Sequence, residues 1–127
     1  MALTPTQVDE RLKKGIELFN QRKFFESSDT IEDLWRQTPG EYKKFYQGLI
    51  QVAAAFHQLR KGKLRPAIAI CDSAIQLLKS YPPIAMGFQV QKLIVDMERF
   101  FEPFRNLESV QDFDFQKAKF PAIAFAS

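Results

Sequence analysis

Cysteine and histidine are nearly missing from this chain, which has one of each, Cys71 and His57, in 127 residues. A lone cysteine excludes an intrachain disulfide and fits a reducing compartment, so the cytoplasm is the expected location. Zinc sites of the usual kind draw several ligands from these two residue types. With so few here, any metal would have to lean on carboxylates. Glycine is also sparse: the five glycines, at 15, 40, 48, 62 and 87, never fall within six residues of one another. That spacing excludes the common glycine-rich phosphate loops. A serine triad would have to use His57, and no G-x-S-x-G turn is present. No long hydrophobic run exists either. The longest uncharged stretch, Phe45 to Leu59, covers 15 residues and is broken by Gln47, Gln51, His57 and Gln58. It is too short and too polar to span a bilayer, so no membrane association is expected. The first residues, MALTPTQVDE, lack the basic start and apolar stretch of a secretory signal. Charge of one sign is not in great excess: 18 basic residues stand against 15 acidic ones, for a net charge of +3. Nucleic acid is therefore not an expected partner.

What is present is 46% hydrophobic, 13% aromatic and 26% charged. That is the composition of a soluble globular domain. A chain of this length buries roughly two-thirds of its unfolded surface, enough for a core without disulfides or metals. Apolar spacing is helical throughout, and strand signals are absent up to about residue 110. Thr4-Pro5-Thr6-Gln7 reads as a capping box with proline at the first helical position. Val8, Leu12, Ile16 and Phe19 follow it on one stripe, and the helix fades near Asn20 to Arg22. A second helix is expected over about 24–37, with Phe24, Ser27, Ile31, Leu34 and Trp35 inward and Glu26, Asp29 and Asp33 outward. Thr38-Pro39-Gly40 ends it. The third, over about 41–61, has an apolar arc wide enough to be covered on more than one side. Gly48 and Ala55 on it permit close helix approach, and Gly62 caps it. Pro66 opens a fourth helix to about Ser80, and a fifth is expected from about Ala85 to Phe101. Cys71 reads as a small buried hydrophobe.

The tail beyond the fifth helix holds Phe104, Phe113, Phe115, Phe120 and Phe125. Exposed, they would be an aggregation hazard, so the tail is expected to pack over the bundle, with a subunit interface as the alternative. A faint internal echo is also present: Lys23-Phe24 and Ile31-Glu32 align, at one constant offset, with Lys63-Leu64 and Cys71-Asp72. Two such helix-turn-helix units resemble tetratricopeptide units but fall short of a solenoid. The expected fold is thus all-α: a compact bundle of about five helices in repeat-like antiparallel pairs, one domain over 1–127. Its core covers about 5–101, and an aromatic tail over about 102–127 packs on it.

On a helical wheel, Ser28, Glu32 and Trp35 share a stripe at the border between the buried and acidic arcs of the second helix. A carboxylate there is partly desolvated and needs a partner, which Gln47, Gln51 or a basic residue of a neighbouring helix could supply. Either Glu32 makes a helix-to-helix hydrogen bond and nothing more, or it is a general base or ligand. Trp35 reads as a core anchor. Arg60, Lys61, Lys63 and Arg65 surround the turn before the fourth helix and form a weak candidate site for an anion or RNA, although such runs are usually solvated faces.

Two segments carry a family resemblance: Phe24-Phe25-Glu26-Ser27-Ser28-Asp29-Thr30-Ile31-Glu32-Asp33-Leu34-Trp35-Arg36, then Gln47-Gly48-Leu49-Ile50-Gln51-Val52-Ala53-Ala54-Ala55. Together, over roughly residues 8 to 100, the chain resembles the domain-of-unknown-function family numbered 309. The resemblance implies an all-helical fold with no assigned function. It also implies a His-x-x-x-Glu-x-x-Trp or Tyr element proposed to bind metal. In this chain the Glu falls on Glu32, the Trp on Trp35, the following acid on Asp29 and the His on Ser28. Serine is a poor ligand beside a carboxylate, so no metal and no cofactor is expected. The family also tends to have glycine where Pro66 stands. The expected function is a non-catalytic module that binds a protein partner or a second copy of itself, with no catalytic residue assigned. The alternative is a small metal-binding protein or hydrolase-like enzyme with a degenerate site around Glu32, flanked by Ser28, Asp29, Trp35, Gln47 and Gln51.

Overall fold

A computed structural model of the chain describes residues 9–108, 114 and 117–124. The capping box Thr4-Pro5-Thr6-Gln7, Val8, and Phe113, Phe115 and Phe125 of the tail lie outside the described residues. Helix α1 (Glu10–Asn20) is capped by Asp9, whose carboxylate accepts from the Arg11 backbone N–H at 2.8 Å. Among the described residues the first helix runs from Glu10 and carries Leu12, Ile16 and Phe19 of the expected stripe in the core. Helix α2 (Phe24–Gln37) has the expected bounds. Helix α3 (Lys43–Arg60) starts slightly inside its expected range. Helix α4 (Leu64–Leu78) opens two residues before Pro66, which sits in its first turn, where an N–H has no helical partner to lose.

The fifth helix is where the expectation fails. Residues Ile84–Ala85 (β1) and Phe88–Gln89 (β2) form a small antiparallel hairpin, with Ile84 opposite Gln89 and Ala85 opposite Phe88. Its two turn residues, Met86 and Gly87, have φ of 54° and 81°. Left-handed backbone suits a tight hairpin turn and cannot continue a helix. Helix α5 (Val90–Phe101) thus begins only after the hairpin, later than the expected Ala85. The Pro83 carbonyl accepts from the N–H groups of Val90 and Gln91, at 2.9 and 3.0 Å, satisfying two of the helix's first donors. A short 3-10 turn, Glu102–Phe104, follows.

Helices α1 to α4 each pack on their neighbours in sequence, and α3 lies between α2 and α4. Its consecutive residues Val52 and Ala53, then Ala55 and Phe56, are all buried, which accounts for the wide apolar arc of its sequence. Close approach rests on small residues. A Cβ at Gly15 would lie 2.4 Å from Ile31 Cγ1, and one at Gly48 would lie 2.9 Å from Leu78 Cδ2. Ser27, the buried polar residue of the core, donates its hydroxyl to the Gly15 carbonyl at 2.7 Å.

The internal echo reappears in the backbone. After α1, Arg22 N–H bonds the Phe19 carbonyl and Lys23 N–H the Leu18 carbonyl; after α3, Gly62 N–H bonds Leu59 and Lys63 N–H bonds Gln58. Both are the paired bonds of a Schellman termination. Arg22 (φ 65°) and Gly62 (φ 79°) occupy the left-handed position.

The tail packs on the bundle, as its composition predicts. Asn20 and Ile123 exchange two bonds, side-chain amide to carbonyl at 3.1 Å and N–H to side-chain oxygen at 2.9 Å. Gln89 N–H bonds the Ala124 carbonyl at 2.8 Å, and the Arg22 guanidinium donates to the Ala118 carbonyl at 2.6 Å. Phe120 joins Phe24, Phe56 and Phe100, with ring centroids 5.1 to 5.5 Å from each. Among the described residues no helix is long and apolar enough to cross a membrane.

Candidate functional site on helices α2 and α3

Helices α2 and α3 run antiparallel. Phe25 at the start of α2 meets His57 near the end of α3, with centroids 5.5 Å apart. Trp35 near the end of α2 meets Lys43 at the start of α3, whose ammonium lies 4.3 Å from the indole centroid and donates to the Trp35 carbonyl at 2.9 Å. Between these two anchors, helical rise brings Ser28 level with Gln51 and Glu32 level with Gln47. All four are half-buried, and Asp29 is exposed.

Glu32 does not take the partner that the sequence suggests. Its carboxylate pairs with Arg36 on its own helix at 2.6 Å, and Asp33 lies 3.6 Å from the same guanidinium. Both charges are substantially exposed, and such a pair contributes little to stability. Ser28 donates its hydroxyl to the Phe25 carbonyl at 2.9 Å, a bond within its own helix turn. Glu26, Asp29 and Asp33 are exposed, as the acidic arc predicts. Trp35 packs against the core while its Nε1, like Gln51 Oε1, is buried without a hydrogen-bond partner. Among the described residues, no group of three or more His, Cys, Asp or Glu side chains is placed to hold a metal ion.

The basic turn after α3 divides. Arg60 donates to the Arg22 carbonyl at 2.8 Å and lies over the Phe24 ring, 4.8 Å from its centroid. Arg65 donates to the carbonyls of Arg105, at 3.2 Å, and Leu107. These two arginines tie turns and chain ends together through their hydrogen bonds, and all four basic residues are exposed. Arg105 in turn pairs with Asp72 at 2.6 Å, and that hydrogen bond holds the Asp72 carboxyl below its usual range. Burial pushes the Cys71 thiol up to about 12, with Asp72 adding to the effect. The thiol therefore stays neutral and unreactive near neutral pH.

Sequence reasoning missed Phe25. It lies on the polar side of α2 next to Glu26 and is 58% exposed, the largest exposure of any described large apolar side chain. An apolar residue out of phase with the buried stripe was the available signal.

No curated protein matches this chain. A family model described as "Domain of unknown function (DUF309)" matches residues 12–70. That span runs from the first buried leucine of α1 to the middle of α4 and takes in both helices of the motif face. Residues 12–70 are therefore similar to the domain of unknown function 309 family, and the match takes in Ser28, Glu32 and Trp35 of the motif that the resemblance implied.

Proposed function

We propose that the chain is a non-catalytic helical module that binds protein, using the exposed motif face of α2. One observation carries this reading: the groups that would do chemistry on that face are already engaged by their own helix. Glu32 is neutralised by Arg36, and the Ser28 hydroxyl is bonded to Phe25. A general base needs a free carboxylate within reach of a substrate proton, and a metal needs more than one good ligand. The rival reading, a metal-binding or hydrolase-like site at Glu32, would need Arg36 to swing away and further ligands to be recruited. A surface that presents Asp29 and Asp33 beside a half-buried Glu32 suits recognition by a complementary basic partner surface.

A photo-crosslinking amino acid placed at Asp29, and in a separate variant at the exposed Gln76 of α4, tests the proposal in cells. The expected result is a discrete crosslinked protein, identified by mass spectrometry, from position 29 and absent from position 76. If that protein is the chain itself, light scattering will show a dimer that Asp29→Lys weakens. No adduct from position 29, or the same adducts from both positions, overturns the proposal.

A further inference from the structure

The two Schellman turns come together at one end of the bundle, where Arg60 of one turn donates to the Arg22 carbonyl of the other at 2.8 Å. Lys23, Arg60, Lys61 and Lys63 are all exposed there. Among the described residues none of these four is ion-paired with a carboxylate. At the same end stand the exposed Phe25 ring and, 5.5 Å away, the half-buried His57 ring. Modest net charge does not describe this end, because several of the acids that balance it are paired elsewhere, Asp9 with Arg11, Asp72 with Arg105 and Asp96 with Lys92, and Glu26 is the acid that acts on His57 here. The local field registers on His57, whose pKa is lowered first by burial, then by Lys61 and Arg60, with Lys63 adding and Glu26 opposing.

Unpaired cations beside an exposed aromatic face are the two parts of single-strand recognition. The cations neutralise phosphates, and the ring stacks a base regardless of its identity. The geometry points to a binding end for single-stranded nucleic acid, with a base on Phe25 and the backbone phosphates along Lys23, Arg60, Lys61 and Lys63. A purely acidic protein segment would use the cations and leave Phe25 idle, so the exposed ring favours the nucleic acid. Phe25 lies one helical turn before Asp29, so this site adjoins the Asp29 face proposed for protein, but its cations are on the turns, and reversing Lys61 and Lys63 tests it without altering Asp29.

The test is fluorescence anisotropy of the whole chain with short labelled oligo(U) and, in parallel, oligo(dT), over a series of salt concentrations. Binding of either oligomer supports the site, and their ratio tells RNA from DNA. Four neutralised phosphates predict a log–log salt slope of about −3. Lys61→Glu/Lys63→Glu should weaken binding by at least about tenfold, since it reverses two of those contacts. Phe25→Ala, at an exposed position, should weaken it about fivefold or more. His57 is the chain's only histidine, so its ring proton signal reports the site alone. Saturating oligomer should raise its titration midpoint by masking the neighbouring cations. Three results would overturn the proposal: no binding of either oligomer at low salt, binding that Phe25→Ala leaves unchanged, or full competition by poly-glutamate at equal charge.

Discussion

Gly15 and Ile31 show how much one methyl group decides at the contact between α1 and α2. Alanine at Gly15 improves helix propensity by about 1 kcal/mol. Its Cβ would nevertheless meet Ile31 Cγ1 at 2.4 Å, an atom whose movement is restricted by the stiff χ1 of a β-branched residue in a helix. Overpacking of this kind costs about 1–3 kcal/mol, so Gly15→Ala should be net destabilising. Ile31→Ala alone should cost about 2–5 kcal/mol through the cavity it leaves. In urea unfolding the double variant should be more stable than the sum of the two, by about 1 kcal/mol or more, since the two side chains share one space. Simple additivity would show that α1 can shift to absorb the methyl group. At this scale the sequence was partly legible. Ser27 and Ile31 read as inward from their spacing. That Ser27 bonds the Gly15 carbonyl was not readable, because the bond joins residues on different helices. Glu32 differs: its partner Arg36 stands four residues on in the same helix, a spacing the sequence already contains, whereas the wheel pointed to a neighbouring helix.

Turns rather than helices carry the internal repeat at the scale of elements. Each hairpin, α1–α2 and α3–α4, ends its first helix with the same pair of backbone bonds and starts its second on a lysine with extended-side ψ, Lys23 at 70° and Lys63 at 80°. Gly62 occupies its left-handed position with nothing within 4 Å of a would-be Cβ. Gly62→Ala therefore introduces backbone strain without a clash, and the expected loss is about 1 kcal/mol. A chemical-denaturation midpoint will measure it, and a neutral result would mean that the turn relaxes out of the left-handed region. Arg22 tolerates the equivalent position, where its guanidinium bonds the Ala118 carbonyl and lies 4.7 Å from the Phe120 ring centroid. The echo between Lys23-Phe24 and Lys63-Leu64 was visible in the sequence, and so were the four long helices. The hairpin at 84–89 was not. Two-residue strands are too short for an alternating pattern, and Met86 adopts positive φ without being a residue that signals it.

For the whole molecule, the C-terminal segment closes the bundle. Phe120 inserts between Phe24, Phe56 and Phe100, while Asn20, Arg22 and Gln89 bind the backbone on either side of it. Phe120→Ala removes the ring and leaves three aromatic neighbours facing a void. Phe120 itself is half-buried. The expected cost is therefore about 2–3 kcal/mol, at the low end for a phenylalanine truncation. Thermal unfolding should show it, together with increased binding of a hydrophobic dye by the folded protein. A change under about 0.5 kcal/mol, the size of an ordinary surface substitution, would show that the tail lies on the bundle without holding it.

The sequence by itself determined the all-α class, the position of α2, the central place of α3, the likeness of residues 12–70 to a family and the requirement that the phenylalanine-rich tail be covered. These follow from periodicity, composition and motif spacing, which are properties of neighbours along the chain. Tertiary structure alone decided that Ser27 bonds the Gly15 carbonyl and where the tail docks. It also decided that two basic turns, far apart along the chain, meet beside an exposed Phe25. Those outcomes depend on which helix faces come into contact, and helix-face contacts are set by the fit of side-chain volumes, which spacing along one helix does not encode.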